Sequence, residues 1–250
     1  MANLFHKLGH KYGSSLIKGK WYYKSFFGSE EEAIEAETWV GRQLAVKIIQ
    51  EMKIDVDPSH QQIVNKVGEK LCKRVTDKNR KFHFYMLFAS DVNAFALPGG
   101  YIFLTDALLK LVDKNRDEIA FILAHEILHV MLKHPFNRII ADHSFRAVSN
   151  IVVKKGILGT FAKQALGDLL KKSYSREKEL EADRYAVRLM YSAGFNPRSA
   201  KTLLCKLAPG SPADLPVYNY FLTHPSIDER IEKIDKLIDQ YQMKFERKQV

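Results

Sequence analysis

The sequence predicts an α+β fold, mostly helical, with a small sheet packed over two central helices. Three observations carry this expectation. Segments with apolar residues at helical spacing fill both ends of the chain. A short aromatic and apolar region, Phe82 to Leu104, is broken only by turn residues. The middle of the chain holds one helical segment that is apolar on nearly every face. At 250 residues with 46% hydrophobic content, the chain can bury a sizeable core.

The opening stretch stands apart. From Met1 to Ser29 there is no Asp or Glu, but Lys7, Lys11, Lys18, Lys20 and Lys24 are present. It reads as a basic arm, residues 1–29, ahead of a domain spanning 30–250. Leu4, Phe5, Leu8, Tyr12 and Leu16 recur near helical spacing, so the arm suits a peripheral membrane contact as well as plain solvation. The formal net charge of +10 favours acidic partners. Nucleic acid is the least expected of them, because no reading module accompanies the charge.

Glu30 to about Gln50 reads as a helix, with Glu30, Glu31 and Glu32 at its positive end. Asp57 and Pro58 open a second, reaching about Val75, with Ile63, Val64, Val67 and Leu71 on one face. Phe82 to Ala89 reads as a strand. Two short strands follow, joined at Pro98-Gly99-Gly100, and Thr105 caps a short helix to about Val112. Asp117 to His134 is the central buried helix, and Pro135 is read as its end. The segment from Phe136 to Lys172 mixes apolar clusters with Gly156, Gly159 and Gly167, and reads either as a cover or as a packed helix pair. Ser173 or Ser175 caps a long helix to about Ala193, stopped by Gly194. After Pro209, Pro212 and Pro216, a last helix runs from about Asp228 to Tyr241.

Compartment is weakly constrained. Cys72 and Cys205 lack metal-type spacing and read as two buried thiols rather than a disulfide. No run of about 18 uncharged apolar residues exists, and the N-terminus lacks a signal-peptide pattern. The expectation is a cytoplasmic protein, or a membrane-associated or envelope one if a targeting segment has been removed.

The chemistry concentrates in His125-Glu126-Ile127-Leu128-His129. Residues four apart on a helix share a face, so His125 and His129 can bind one zinc ion. Glu126 lies about 100° around the helix, beside the ligands, where it can act as general base on a water. A catalytic zinc wants a third protein ligand. Glu179 is the best candidate, because Asp183 shares its face and can accept a hydrogen bond from a ligating histidine, most simply His125. Glu177 and Glu181 are the alternatives. His224 precedes Pro225 and is a second catalytic candidate: an oxyanion donor, a fourth ligand, or a loop residue. Arg230 either clamps the loop of His224 or covers the last helix. His134 and His143 read as helix-end and surface residues. Asn93, Ala94, Phe95 and Ala96 form a candidate substrate strand, to which an extended peptide could add by main-chain hydrogen bonds.

With these motifs in order, the chain resembles the HtpX-type and CAAX-prenyl-protease-type zinc metallopeptidases of the gluzincin group. It is most similar to soluble or peripheral members such as the mitochondrial Oma-type and bacterial envelope proteases. The resemblance covers roughly Glu31 to Asp239. It rests on Asn93 to Gly100, His125 to His129, Tyr174 to Arg176 with Glu179 to Asp183, and Thr223 to Ser226 with Glu229 to Ile231. It implies one zinc per chain on His125, His129 and Glu179, Glu126 as base, and Asp183 behind the ligands. The chain departs from integral members in having no transmembrane segment. The expected activity is hydrolysis of peptide bonds in unfolded or damaged proteins. The rival is a zinc-holding binding or chaperone-like module without turnover.

Overall fold

Short polar caps decide where the first helices of the computed structural model begin; it describes residues 29–143, 159–208, 224 and 227–246. Ser29 and Glu32 exchange side-chain hydrogen bonds with each other's main-chain N–H, and α1 runs from there, Glu30–Glu51. Asp57 accepts from the Ser59 N–H at 2.8 Å and opens α2, Pro58–Cys72. Pro58 fits the first turn, where its missing N–H leaves no bond unmade.

Strands β1 (His83–Leu87), β2 (Ala94–Leu97) and β3 (Tyr101–Thr105) form a sheet of order β1-β3-β2. β3 runs parallel to β1 and antiparallel to β2. Pro98–Gly100 makes a single 3-10 turn between β2 and β3, with φ 72° at Gly99 and 93° at Gly100. A Cβ on Gly100 would also sit 2.1 Å from the Lys81 carbonyl oxygen, so both conformation and space demand glycine there. Thr105 ends β3 and caps α3, Asp106–Leu111.

Among the described residues the further helices are α4 (Arg116–Met131), α5 (His134–His143), α6 (Gly159–Lys171), α7 (Arg176–Ser192), α8 (Ser199–Leu207) and α9 (Ile227–Glu246). Side chains alternate across the sheet and divide the interior in two. Ala94, Ala96, Ile102 and Leu104 face a core built with α2, α4, α7, α8 and α9. Phe95, Leu97, Tyr101 and Phe103 face a second core with α1, α5 and α6. The sheet is thereby covered on both faces, and α7 packs against α4.

Several expectations are corrected. Pro135 does not end the central helix: α4 stops at Met131, Lys133 takes φ 60°, and Pro135 lies in the first turn of α5, where proline is tolerated. α8 was not expected. Its Ala200, Leu203, Leu204 and Leu207 are fully buried, and each leucine so covered contributes about 1.5–3 kcal/mol. The cysteines are not both buried: Cys205 is exposed and Cys72 partly covered, with burial pushing its thiol up to about 11. The described ends of the Phe136 to Lys172 segment pack into the second core through Phe136, Ile139, Ala165 and Leu169. Its middle, the basic arm and the three prolines after Ala208 lie outside the described residues. No single helix among the described residues is long and apolar enough to cross a membrane.

Candidate metal centre

Asn115 caps α4, its side chain accepting from the N–H groups of Asp117 and Glu118, and this fixes the register of the helix carrying His125, Glu126 and His129. All three are buried, at 1%, 2% and 0% exposure. α7 packs closely against α4, and its small residues Ala182 and Ala186 are both fully buried. That close approach puts Glu179 and Asp183 against the histidines. Glu177 carries no such contact: it lies on the exposed side, 65% accessible and beside Arg176.

Four side chains converge. His125 Nε2 lies 2.9 Å from His129 Nε2, and 3.4 Å from Glu179 Oε2. His129 Nε2 lies 3.2 Å from Glu179 Oε1. His224 Nδ1 is 3.1 Å from Glu179 Oε2 and 3.4 Å from His125 Nε2. The donor atoms of His125, His129, Glu179 and His224 all lie within 4.8 Å of one another, and all four residues are buried. Around a tetrahedral zinc with bonds of about 2.0–2.1 Å, ligand atoms are roughly 3.3 Å apart. Nitrogen lone pairs facing one another at 2.9 Å repel unless a cation or proton lies between them. Spacing and donor set therefore fit zinc.

Behind the ligands, His125 Nδ1 lies 2.8 Å from Asp183 Oδ1. Asp183 in turn accepts from Arg230 Nε at 2.7 Å and from its Nη2 at 2.9 Å. Arg230 Nη1 is 3.1 Å from Glu179 Oε2. Arg230 therefore reaches inward from α9 to the carboxylates of α7. It is fully buried and joins both carboxylates of α7. His134, read as a helix-end residue without a part in the site, is 5% exposed, with Nδ1 2.9 Å from His129 Nδ1.

The electrostatics follow from this crowding. Burial alone would raise the carboxyl of Glu179, but the charges of His224, Arg230 and His125 hold it well below the usual range. Asp183 is likewise buried yet held down by Arg230 and His125. Burial works against charge on His125, but Glu179 and Asp183 outweigh it and lift the ring to about 9 in the absence of metal. Burial, with His125 nearby, holds His129 well below its ordinary value. Burial pushes Glu126 up, against the pull of His224 and His125. His134 is driven down to about 3 by burial and then by Lys178.

The candidate substrate strand lies at the sheet edge as β2, packed against α4. Thr105 N–H donates to the Asn93 carbonyl, so by alternation the main-chain groups of Ala94 and Ala96 point away from β3. The strand is largely covered, with Phe95 at 8% and Ala96 at 6% exposure and Ala94 at 0%. The buried Oδ1 of Asn93 has no hydrogen-bond partner among the described residues.

Comparison with known proteins agrees with this geometry. The profile of Peptidase family M48 matches residues 58–238. A β-barrel assembly-enhancing protease of Yersinia pestis is 31% identical over 70% of this chain and 38% of its own length. The mitochondrial metalloendopeptidase OMA1 of Schizosaccharomyces pombe is 32% identical over 66% of this chain and 49% of its own. A mitochondrial metalloendopeptidase OMA1 of Bos taurus is 29% identical over 62% of this chain. The chain thus spans two fifths to a half of the length of the first two relatives.

Proposed function

Because the chain belongs to peptidase family M48, we propose that it is a zinc-dependent endopeptidase, with His125, His129 and Glu179 holding the metal and Glu126 as general base. The observation that carries this reading is the convergence of buried imidazole nitrogens and a carboxylate on one point. A zinc ion there would supply Lewis acidity, polarising the scissile carbonyl and acidifying water. Glu126, next to His125 on α4 and outside the ligand cluster, takes the attacking water's proton and returns it to the departing amine. Burial raises this carboxyl in the metal-free site, and a general base must be basic enough to hold the proton it takes. Asp183 accepts the Nδ1 proton of His125, which leaves Nε2 free to bind metal.

His224 is proposed to act as a latency-conferring fourth ligand, which must leave before water can bind, rather than as an oxyanion donor. Its Nδ1 lies among the ligand atoms, while its Nε2 is 3.5 Å from Glu126 Oε1. Substrate is proposed to pair with the strand Asn93, Ala94, Phe95, Ala96. The outward main-chain groups and the unsatisfied Asn93 Oδ1 support that role. Recognition through main chain is indifferent to side chains, so the proposed substrates are unfolded or damaged polypeptides. The proposed division is a basic arm, 1–29, and a peptidase domain, 30–250. The arm's lysines support a peripheral membrane contact and a membrane-associated location.

The test compares metal content and casein cleavage in the wild type and Glu126→Gln. The variant keeps zinc and fold and loses turnover; near-normal turnover would remove Glu126 from the mechanism. Wild-type protein that holds zinc without cleaving any polypeptide would favour the chaperone-like alternative. His224→Ala raises activity if the ring closes the site, and lowers kcat about 10²–10³-fold if it serves the oxyanion.

A further inference from the structure

His134 begins α5 only five residues beyond His129, and the two helices meet at 50°. That bend turns the His134 ring back onto α4, buried, with its Nδ1 2.9 Å from His129 Nδ1. Two ring nitrogens at this distance form a hydrogen bond only when one carries the proton and the other the lone pair. His129 Nε2 faces Glu179 and His125, where the proposed metal reading requires its lone pair. Its proton then belongs on Nδ1, and the atom that receives it is His134 Nδ1.

A second set of contacts governs the plane of the His129 ring. Tyr174 stacks on it at 4.2 Å between centroids and 20° between planes. The Arg138 guanidinium lies 3.6 Å over the Tyr174 ring and donates to the Lys172 carbonyl at 2.7 Å. The Tyr174 and His134 rings are 5.7 Å apart. The two ligand histidines are thus held by different chemistry. His125 has a carboxylate behind it. His129 has a neutral ring, which fixes its aim without adding a third carboxylate beside Glu179 and Asp183.

We infer that His134 is a positioning residue for the metal: its Nδ1 accepts the Nδ1 proton of His129 and so fixes which nitrogen, and which direction, His129 offers. The inference rests on the metal reading above. The test measures zinc affinity of the metal-stripped full chain by competition with a chromophoric chelator, alongside thermal unfolding of the metal-free proteins. His134→Phe keeps a ring against Tyr174 but has no acceptor. His134→Asn places an amide oxygen near the Nδ1 position but gives up the packing.

The expected result is a crossing. The Phe variant loses zinc affinity about 10–100-fold while melting near the wild type. The Asn variant melts lower yet keeps most of the affinity. Affinity that tracks stability instead, with Phe near wild type and Asn worse, would make His134 a packing residue and overturn the inference. Wild-type affinity in both variants would overturn it too, with the metal reading intact. Two zinc ions per wild-type chain, one lost in each variant, would make His134 a ligand and overturn it. A wild-type chain that takes up no zinc removes the metal reading and the inference together.

Discussion

Two buried arginines solve the same physical problem in different parts of the fold. Arg80, 8% exposed, reaches from the loop before β1 to Glu37 on α1, with Nη1 and Nη2 at 2.5 and 3.2 Å from the two carboxylate oxygens. Arg230, fully buried on α9, makes the equivalent forked contact with Asp183 on α7 and adds Glu179 through Nη1. Each clamp ties elements more than forty residues apart in sequence. The second continues into the metal cluster, through Asp183 to His125 and through Glu179 to the converging ligand atoms. A buried forked pair is thus no sign of function by itself. What marks a site is a pair whose carboxylates have further partners with unspent lone pairs.

The largest expected effect separates the clamps on that basis. Arg230→Met strands two carboxylates, at 0% and 2% exposure, without their shared cation. Breaking a buried pair this way costs about 3–5 kcal/mol, and loss of support for His125 lowers zinc affinity about 10–100-fold. Denaturant unfolding and chelator competition measure the two. The pH dependence should shift as well. In the wild type Asp183 is held below its ordinary value, so the stability it contributes is present above pH 3.8 and lost as the pH falls through the depressed value. Without Arg230, burial is left to raise that carboxyl, and acid unfolding of the metal-free protein moves to higher pH. An unchanged acid midpoint would mean that the Arg230 charge does not govern Asp183.

Arg80→Met removes the cation beside the buried Glu37 and is expected to cost about 3 kcal/mol or more of stability, with zinc affinity unchanged in the folded protein. Adding Glu37→Leu removes the remaining buried charge, and the double variant should return to near wild-type stability. The matching pair of changes at the other clamp, Arg230→Met with Asp183→Leu, can recover stability but not zinc affinity, because the acceptor of His125 is gone. Recovery of affinity in that double variant would erase the distinction between the clamps.

How far the sequence discloses this arrangement depends on the range of the contact. α4 and α7 were legible because their signals are local, a long apolar run in one and a cap and glycine stop in the other, as was the shared face of Glu179 and Asp183, four residues apart. The antiparallel β2–β3 pair was legible from its glycine turn. The parallel pairing of β1 with β3 was not, since it skips the intervening strand. α8 carries a plain helical pattern at Ala200, Leu203, Leu204 and Leu207, short enough to pass unread between Pro197 and Pro209. His134 was obscured by its neighbour: Pro135 suggested an end, whereas the chain bends and starts another helix. Arg230 reads as a clamp on the loop of His224 or a cover of the last helix, since nothing local links it to carboxylates on α7.

The smallest expected effect tests where the Arg80 clamp stops. Arg80 Nε also lies 3.3 Å from Asp77 Oδ2, but that carboxylate is 26% accessible and can turn to water. It sits three residues from Arg80, so holding it in place spends little chain entropy and gains little attraction through the solvent. Pairs of this kind contribute about 0.2–1 kcal/mol, and less as salt screens them. Asp77→Asn should therefore lower stability by at most about 1 kcal/mol, with the difference shrinking at high salt. If it cost as much as Arg80→Met, Asp77 would have to be counted with Glu37 inside the buried pair. The clamp at α1 would then hold two carboxylates, as the one at α7 does, and the comparison would rest on the histidines alone.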